Sequence, residues 1–98
     1  MNREFNQPNF ITNDFSVVAE KGTNFKTITS KEGDTHDLFE FWVLDNGQEV
    51  HCIAWDATAH SLKTAFENPI TEIKLTYKER QNKFTNAVDY SIRNYEVK

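Results

Sequence analysis

Few side chains in this sequence could carry out a chemical reaction. Glu40 and Glu49 could approach each other as an acid and base pair, but the chain offers no nucleophile for them and too little volume for a closed pocket. His51, Cys52 and His60 cannot share a metal ion, because neighbouring strand residues point to opposite faces and there are only three candidates. The three glycines form no phosphate-binding loop. We therefore expect no enzyme and no cofactor.

The aromatic residues are more informative, and one tight turn decides which of them share a surface. Asn46-Gly47 separates two β-rich runs and is the pair that a type I′ hairpin turn prefers. The turn places Asp45 opposite Gln48 and predicts one apolar face, with the pairs Val43–Val50, Phe41–Cys52 and Phe39–Ala54. The other face pairs Leu44 with Glu49, Trp42 with His51, Glu40 with Ile53 and Leu38 with Trp55. This second face is mixed, as expected of a half-exposed working surface, and Cys52 is expected to be a buried, inert thiol.

The flanking patterns predict the elements that position this hairpin. Residues 1–13 are rich in asparagine around Pro8, which predicts a flexible arm before a single domain at 14–98. A long strand from Asp14 to Thr29 bends near Gly22, and residues 30–37 form a polar loop. Residues 56–68 have helical spacing, with Asp56 as the cap and a stripe of small and apolar residues, namely Ala59, Leu62, Ala65 and Phe66.

Two strands complete the chain. Residues 70–77 alternate as a half-buried strand, residues 78–86 are a polar loop, and the last strand has a bulge near Arg93 and Asn94. Five strands with one short helix between the third and the fourth predict an all-β protein, a Greek-key barrel of the oligonucleotide/oligosaccharide-binding (OB) type.

Charge is unevenly distributed along the 98 residues, which carry a net charge of −4. Seven acids and no base lie between Glu32 and Asp56, whereas four bases and one acid lie between Lys74 and Lys83. The net charge argues mildly against a nucleic-acid ligand, but binding depends on where the charges lie. The longest apolar run has four residues, too short for a bilayer span or a signal peptide, and the single cysteine fits a reducing compartment. We expect a cytoplasmic protein.

Residues 15–97 resemble single-stranded-DNA-binding domains of the replication protein A and archaeal type. The matching motifs are Lys31-Glu32-Gly33 in a charged loop, the hairpin segment 39–47 (FEFWVLDNG), and Ile53-Ala54-Trp55-Asp56 at the end of the third strand. In size and simplicity the chain also resembles the small single-strand binders of phages and mobile elements. The resemblance implies a sequence-nonspecific single-stranded DNA-binding protein that serves processes such as DNA replication. The sequence leaves open whether RNA also binds, whether proteins of DNA metabolism are partners, and whether the protein forms a homo-oligomer.

The resemblance also implies where a strand would bind. Bases would stack on Trp42 and Trp55, with His51 beside them, on the mixed face of the hairpin. Phosphates would meet cations of the first strand and of the first and last loops, together with one aromatic residue of the last loop. These residues are Lys26, Lys31, Lys78, Arg80, Lys83 and Phe84. Glu40 and Glu49 depart from this pattern, because they would repel a phosphate backbone on the floor of the groove.

Two alternatives stay open from the sequence. Trp42 and Trp55 could instead belong to a second small core or cover the N-terminal arm. His51 could simply pack against Trp42, and the late bases could serve solubility alone. The chain could also be an OB-type module that binds a basic protein partner through its acidic middle and exposed aromatic residues.

Overall fold

The computed structural model describes residues 10–81 and 86–98, and these residues form six strands and one α-helix. The strands are β1 (Ile11–Val17), β2 (Asn24–Thr29), β3 (Thr35–Asp45), β4 (Gln48–Trp55), β5 (Glu72–Gln81) and β6 (Val88–Val97), and the helix α1 is Asp56–Ala65. The predicted mostly-β architecture, with its single helix after the hairpin, is confirmed within this part of the chain. Lys83, Phe84 and residues 1–9 of the predicted arm lie outside it.

The strands form one sheet that closes in a ring. Its order is β1-β5-β6-β4-β3-β2, and the end of β1 also pairs with β3 through Ser16–Leu44 and Val17–Val43. All neighbouring strands are antiparallel except β4 and β6, which are parallel. The ring places one face of each strand inside, around the core. On the other face most side chains are exposed or half-buried, but Leu38 and Ile53 are buried, at 6% and 9% exposure.

The predicted long first strand is divided in two, which makes six strands where five were expected. After β1 the Val18 N–H donates to the Trp42 carbonyl at 2.9 Å, and a short 3₁₀ turn follows at Ala19–Lys21. Gly22 then takes φ = 74°, a conformation that favours glycine, before β2 resumes alongside β3. The bend expected near Gly22 is therefore present, and it is sharp enough to interrupt the strand.

The hairpin register agrees with the prediction at all eight pairs, from Asp45–Gln48 to Leu38–Trp55. Asn46 and Gly47 have φ angles of 52° and 83°, as a type I′ turn requires. The predicted apolar face is the inner one, where Phe41, Val43 and Cys52 are fully buried. Burial raises the pKa of the Cys52 thiol well above its usual value, so this cysteine is protonated in the folded protein.

Helix α1 closes one end of the ring with the predicted apolar stripe. Ala59 and Leu62 are fully buried, and Phe66 just after the helix packs against Phe39 and Phe41, with ring centroids 5.4 and 5.1 Å apart. The prediction that Asp56 caps the helix is wrong. Trp55 holds the N-cap position without a side-chain bond, and the Asp56 carboxylate instead accepts the Asp37 N–H at 3.1 Å.

Several predicted boundaries move because strands continue wherever a partner strand is present. β5 runs on to Gln81, so Lys78 and Arg80 lie in a strand rather than in the predicted last loop. The reason is pairing with β6, through Lys78–Ser91 and Arg80–Asp89, which outweighs the polar composition of this segment. β1 likewise begins at Ile11, opposite Tyr77, inside the predicted arm. The helix is shorter than expected and ends at Ala65.

The predicted bulge in the last strand is present. Thr76 pairs with Asn94 while the next residue, Tyr77, pairs with Ile92, so Arg93 is the extra residue on β6. A bulge bends the strand and redirects its side chains. This redirection brings Arg93 to the outer surface on which the predicted site residues lie.

Candidate functional site

The strand registers bring most of the predicted site residues onto one outer face of the ring. Because side chains directly opposite each other in a sheet share a face, three rows can be followed across the strands. The first row is Lys26, Leu38 and Trp55; the second is Asn24, Glu40, Ile53, Ser91 and Lys78; the third is Trp42, His51, Asp89 and Arg80. Both tryptophans therefore lie on the same surface as Lys78 and Arg80, although the four residues come from three strands.

One groove on this face combines aromatic rings with positive charge. Its volume is about 290 Å³, and among the described residues its lining includes Phe10, Trp55, Lys78, Arg80 and Arg93 and contains no carboxylate. The groove lies where β4 and β6 stop pairing, after Ile53–Ser91. Trp55 is 37% exposed and Phe10 40% exposed, so both rings are accessible. We call this surface the Trp55 groove.

A second recess, about 260 Å³ in volume, surrounds the other tryptophan and has a different character. Lys21, Asn24, Glu40, Trp42 and His51 line it. The Lys21 ammonium lies 4.3 Å from the centre of the Trp42 ring and 3.2 Å from a Glu49 carboxylate oxygen. Trp42 is half-buried and its ring centre is 5.1 Å from that of His51. We call this surface the Trp42 recess.

His51 is held between two carboxylates on this face. Its Nε2 lies 3.1 Å from a Glu40 oxygen, and its Nδ1 lies 3.4 Å from an Asp89 oxygen. The Asn24 amide donates to the other Glu40 oxygen at 2.8 Å. Both ring nitrogens of the imidazole therefore face a carboxylate oxygen.

Most of the acidic run is paired within the fold. The partners of Glu40, Glu49 and Asp56 are given above. Asp45 accepts a hydrogen bond from the Tyr90 hydroxyl. Asp37 accepts a hydrogen bond from the Thr27 hydroxyl at 2.7 Å and also contacts His60. Hydrogen bonds from Thr27 and then His60 lower the pKa of Asp37, while burial and then the Asp45 carboxylate raise the pKa of Tyr90 above its usual range. Five of the seven acids from Glu32 to Asp56 therefore have partners among the described residues.

The remaining predicted residues are less closely grouped. Lys26 is exposed on β2 in the same row as Trp55. Lys31 is exposed in the turn between β2 and β3, which is closed by the Ser30 N–H to the Asp34 carbonyl, and it lines neither the Trp55 groove nor the Trp42 recess. Lys83 and Phe84 lie outside the described residues.

Two of the aromatic and charged residues that line the Trp55 groove, Phe10 and Arg93, were not predicted from the sequence. Phe10 falls within the predicted arm, and its approach to the groove depends on the pairing of β1 with β5. Arg93 is the bulge residue of β6, and its guanidinium lies 5.9 Å from the Phe10 ring centre. The out-of-phase pattern of the last strand locates the bulge, but it gives no indication of what Arg93 faces.

Comparison with solved structures identifies the fold. The second OB-fold domain of replication protein A from Methanococcus maripaludis superposes with a TM-score of 0.64 over 88% of this chain and 80% of that one, at 18% identity. The SSB domain of a Synechococcus sp. protein gives a TM-score of 0.66 over 92% of this chain and 96% of that one, at 15% identity. The chain has the OB fold. No family model and no curated protein matches the sequence.

Neither a metal-binding cluster nor a membrane-spanning helix is present in the described part of the chain. Within residues 10–81 and 86–98, no group of three or more histidine, cysteine, aspartate or glutamate side chains could hold a metal ion. No helix in the same ranges is long and apolar enough to cross a membrane.

Proposed function

We propose that this protein binds single-stranded DNA by stacking bases on exposed aromatic rings and neutralising the phosphates with adjacent cations, without catalysing a reaction. The observation that carries the proposal is the Trp55 groove, where two accessible rings lie beside Lys78, Arg80 and Arg93. Base stacking on an aromatic side chain contributes about 1–3 kcal/mol per base and tolerates any sequence. Both requirements of such binding are met at one place on the surface.

The arrangement of charge suggests the path of the strand. Lys78 and Arg80 are two residues apart on β5, so their side chains lie on the same face, and Arg93 lines the same groove from β6. A DNA backbone that follows these strands would therefore contact one cation after another. Lys26 extends the positive charge on the other side of Trp55. Glu40 lies away from this path, whereas Asp89 lies directly opposite Arg80 on the same face, with the His51 Nδ1 3.4 Å from its carboxylate.

The structural neighbours support the proposal through their fold. One is a domain of replication protein A and the other is an SSB domain, and both share the barrel whose outer strand face is used here. At 18% and 15% identity they do not show that the residues of this chain have the same roles. The residue assignments rest on the groove itself.

Titration of the intrinsic tryptophan fluorescence with oligo(dT) tests the proposal. At about 20 mM salt, binding should quench the emission, and added salt should reverse the quenching as counterions return to the DNA. Duplex DNA of the same length is the control, since its bases are not free to stack on the protein. No change at micromolar protein would refute the proposal.

The alternative of a module that binds a basic protein has less support. It relies on the acidic residues from Glu32 to Asp56, and five of these seven are paired with other parts of the fold. Glu32 and Asp34 are the two acids of this run without a side-chain partner among the described residues, and both are in the exposed turn before β3. If oligo(dT) does not change the tryptophan fluorescence, the protein-binding alternative is favoured.

A further inference from the structure

Glu40 is placed where it cannot serve phosphate binding. It lies at the centre of the outer face, between Asn24 on β2 and Ile53 on β4, and its side chain is only 22% exposed. A carboxylate repels phosphate, yet this one borders the Trp42 recess, beside an aromatic ring of the kind that stacks bases. A strand that stacks a base on Trp42 would therefore bring the edge of that base, rather than its phosphate, towards Glu40.

Glu40 has acceptor capacity left for such an edge. An ionised carboxylate offers about four lone-pair sites. The Asn24 amide donates to Oε1 at 2.8 Å and occupies one site there, and the His51 Nε2 lies 3.1 Å from Oε2. One site on each oxygen remains, and these two sites can accept a pair of neighbouring donors. The Asn24 hydrogen bond and the adjacent His51 ring also restrict the carboxylate, so less side-chain entropy is lost when a ligand binds.

The four bases differ in what they offer to a carboxylate. Guanine presents two adjacent donors on its Watson–Crick edge, N1–H and N2–H, whereas cytosine and adenine present one amino group beside a ring-nitrogen acceptor. Thymine presents one N–H between two carbonyl oxygens, which a carboxylate repels. We propose, as an extension of the proposed single-strand binding, that the Trp42 recess is a base-reading site that prefers guanine and discriminates against thymine through Glu40.

Lys21 is compatible with this site because it is an exposed residue that covers the Trp42 ring rather than a core residue. Its side chain is 40% exposed, and it reaches across Trp42 to Glu49. A base entering the recess would take the place of the ammonium on the ring. The displaced lysine would then be free to pair with the phosphate of the same nucleotide.

The experiment compares 15-nucleotide strands of thymine that carry one central dG, dC or inosine with the all-thymine strand, using competition against a labelled oligo(dT). A bidentate contact discriminates by about 1–3 kcal/mol, so the dG strand should bind roughly 5- to 150-fold more tightly than the thymine strand. Inosine lacks the N2 amino group and should lose most of this advantage. A single dG cannot form a quadruplex, so a difference in affinity between the strands reflects the central base alone.

Glu40→Gln and Glu49→Gln separate base reading from general electrostatics, because each removes one negative charge from the same face. Glu40→Gln should bind the thymine strand as tightly as wild type or more tightly, and should lose the preference for dG. Glu49→Gln releases Lys21 from its ion pair but leaves the Glu40 carboxylate in the recess, so this variant should keep that preference. A dG preference that survives Glu40→Gln, or wild-type protein that binds dG and thymine strands equally, would overturn the base-reading site.

The same titrations distinguish the two proposals. If the protein binds the thymine strand but shows no base preference, the base-reading site is refuted and the proposed function stands. If no strand binds at about 20 mM salt, the proposed function itself fails, and the base-reading site falls with it.

Discussion

At the scale of single residues, Trp42 and Trp55 share a face but have different surroundings. Trp42 is half-buried beside His51 and covered by Lys21, whereas Trp55 is 37% exposed at the edge of a groove with three cations. Trp55 is the more exposed of the two rings, and the His36 ring contacts it edge-on at 6.5 Å between centroids. We therefore expect Trp55 to contribute most of the stacking on strands that lack guanine.

Trp55→Ala tests this contribution. The variant should lose roughly 1–3 kcal/mol of affinity for oligo(dT), because the stacking surface is removed, with little change in melting temperature because the ring is not in the core. Leu44→Ala is the matched control, since Leu44 is also an exposed apolar residue of the outer face, at 42% exposure, but has no ring. A large fall in the melting temperature of Trp55→Ala would mark Trp55 as a core residue instead.

Asp37 gives a prediction about acid stability. Its pKa lies below the unfolded value of 3.8 because Thr27 and His60 donate hydrogen bonds to the ionised carboxylate. Its contribution is therefore present above the unfolded pKa and is lost as the pH falls below about 4 through the folded pKa. Asp37→Asn should show a smaller drop in melting temperature between pH 5 and pH 3 than wild type. Asp34→Asn, which alters an exposed acid without a side-chain partner among the described residues, should behave like wild type.

At the scale of elements, the sequence was most informative where one local turn controlled many residues. The Asn46-Gly47 pair determines a register of eight residue pairs, and with it the face of both tryptophans and the burial of Cys52. The sequence was least informative for β5, where Lys78–Gln81 look like a loop by composition. These residues are a strand because β6 lies beside them, and that neighbour is set by the fold rather than by the local sequence.

Gly47→Ala tests the role of the turn. Gly47 has φ = 83°, and a β-carbon added there would meet no atom within 4 Å, so the substitution adds backbone strain without a steric clash. We expect a loss of about 1–2 kcal/mol in the free energy of unfolding, measured by urea denaturation. Asn46→Gly should cost less, because glycine adopts a positive φ without strain. Equal stability of Gly47→Ala and wild type would show that the turn does not fix the register.

The cations of β5 are tested by salt dependence. Each phosphate contact contributes about −0.7 to the slope of log K against log salt for a single strand. Replacing both Lys78 and Arg80 by Gln should therefore flatten the slope by about 1.4. Lys63→Gln is the control, because Lys63 is on α1, packed over Phe25 away from the groove. An unchanged slope in the double variant would show that Lys78 and Arg80 do not contact phosphates.

At the scale of the whole molecule, the closed ring explains why a chain of net charge −4 can present a basic surface. The acids of residues 32–56 are largely used in contacts between elements, while Lys78, Arg80 and Arg93 come together from β5 and β6. The fold and the hairpin face were predictable from alternation and turn chemistry. The Trp55 groove was predictable only in part, because Phe10 and Arg93 reach it through a long-range pairing and a bulge.

The most direct test of the central claim uses Trp42→Phe, in which Trp55 is the only tryptophan left to report. If the Trp55 groove binds single strands, oligo(dT) at about 20 mM salt should quench the fluorescence of this variant, and added salt should restore it. A folded Trp42→Phe protein that binds oligo(dT) while the emission of Trp55 stays unchanged, or that does not bind it at all, would contradict the account.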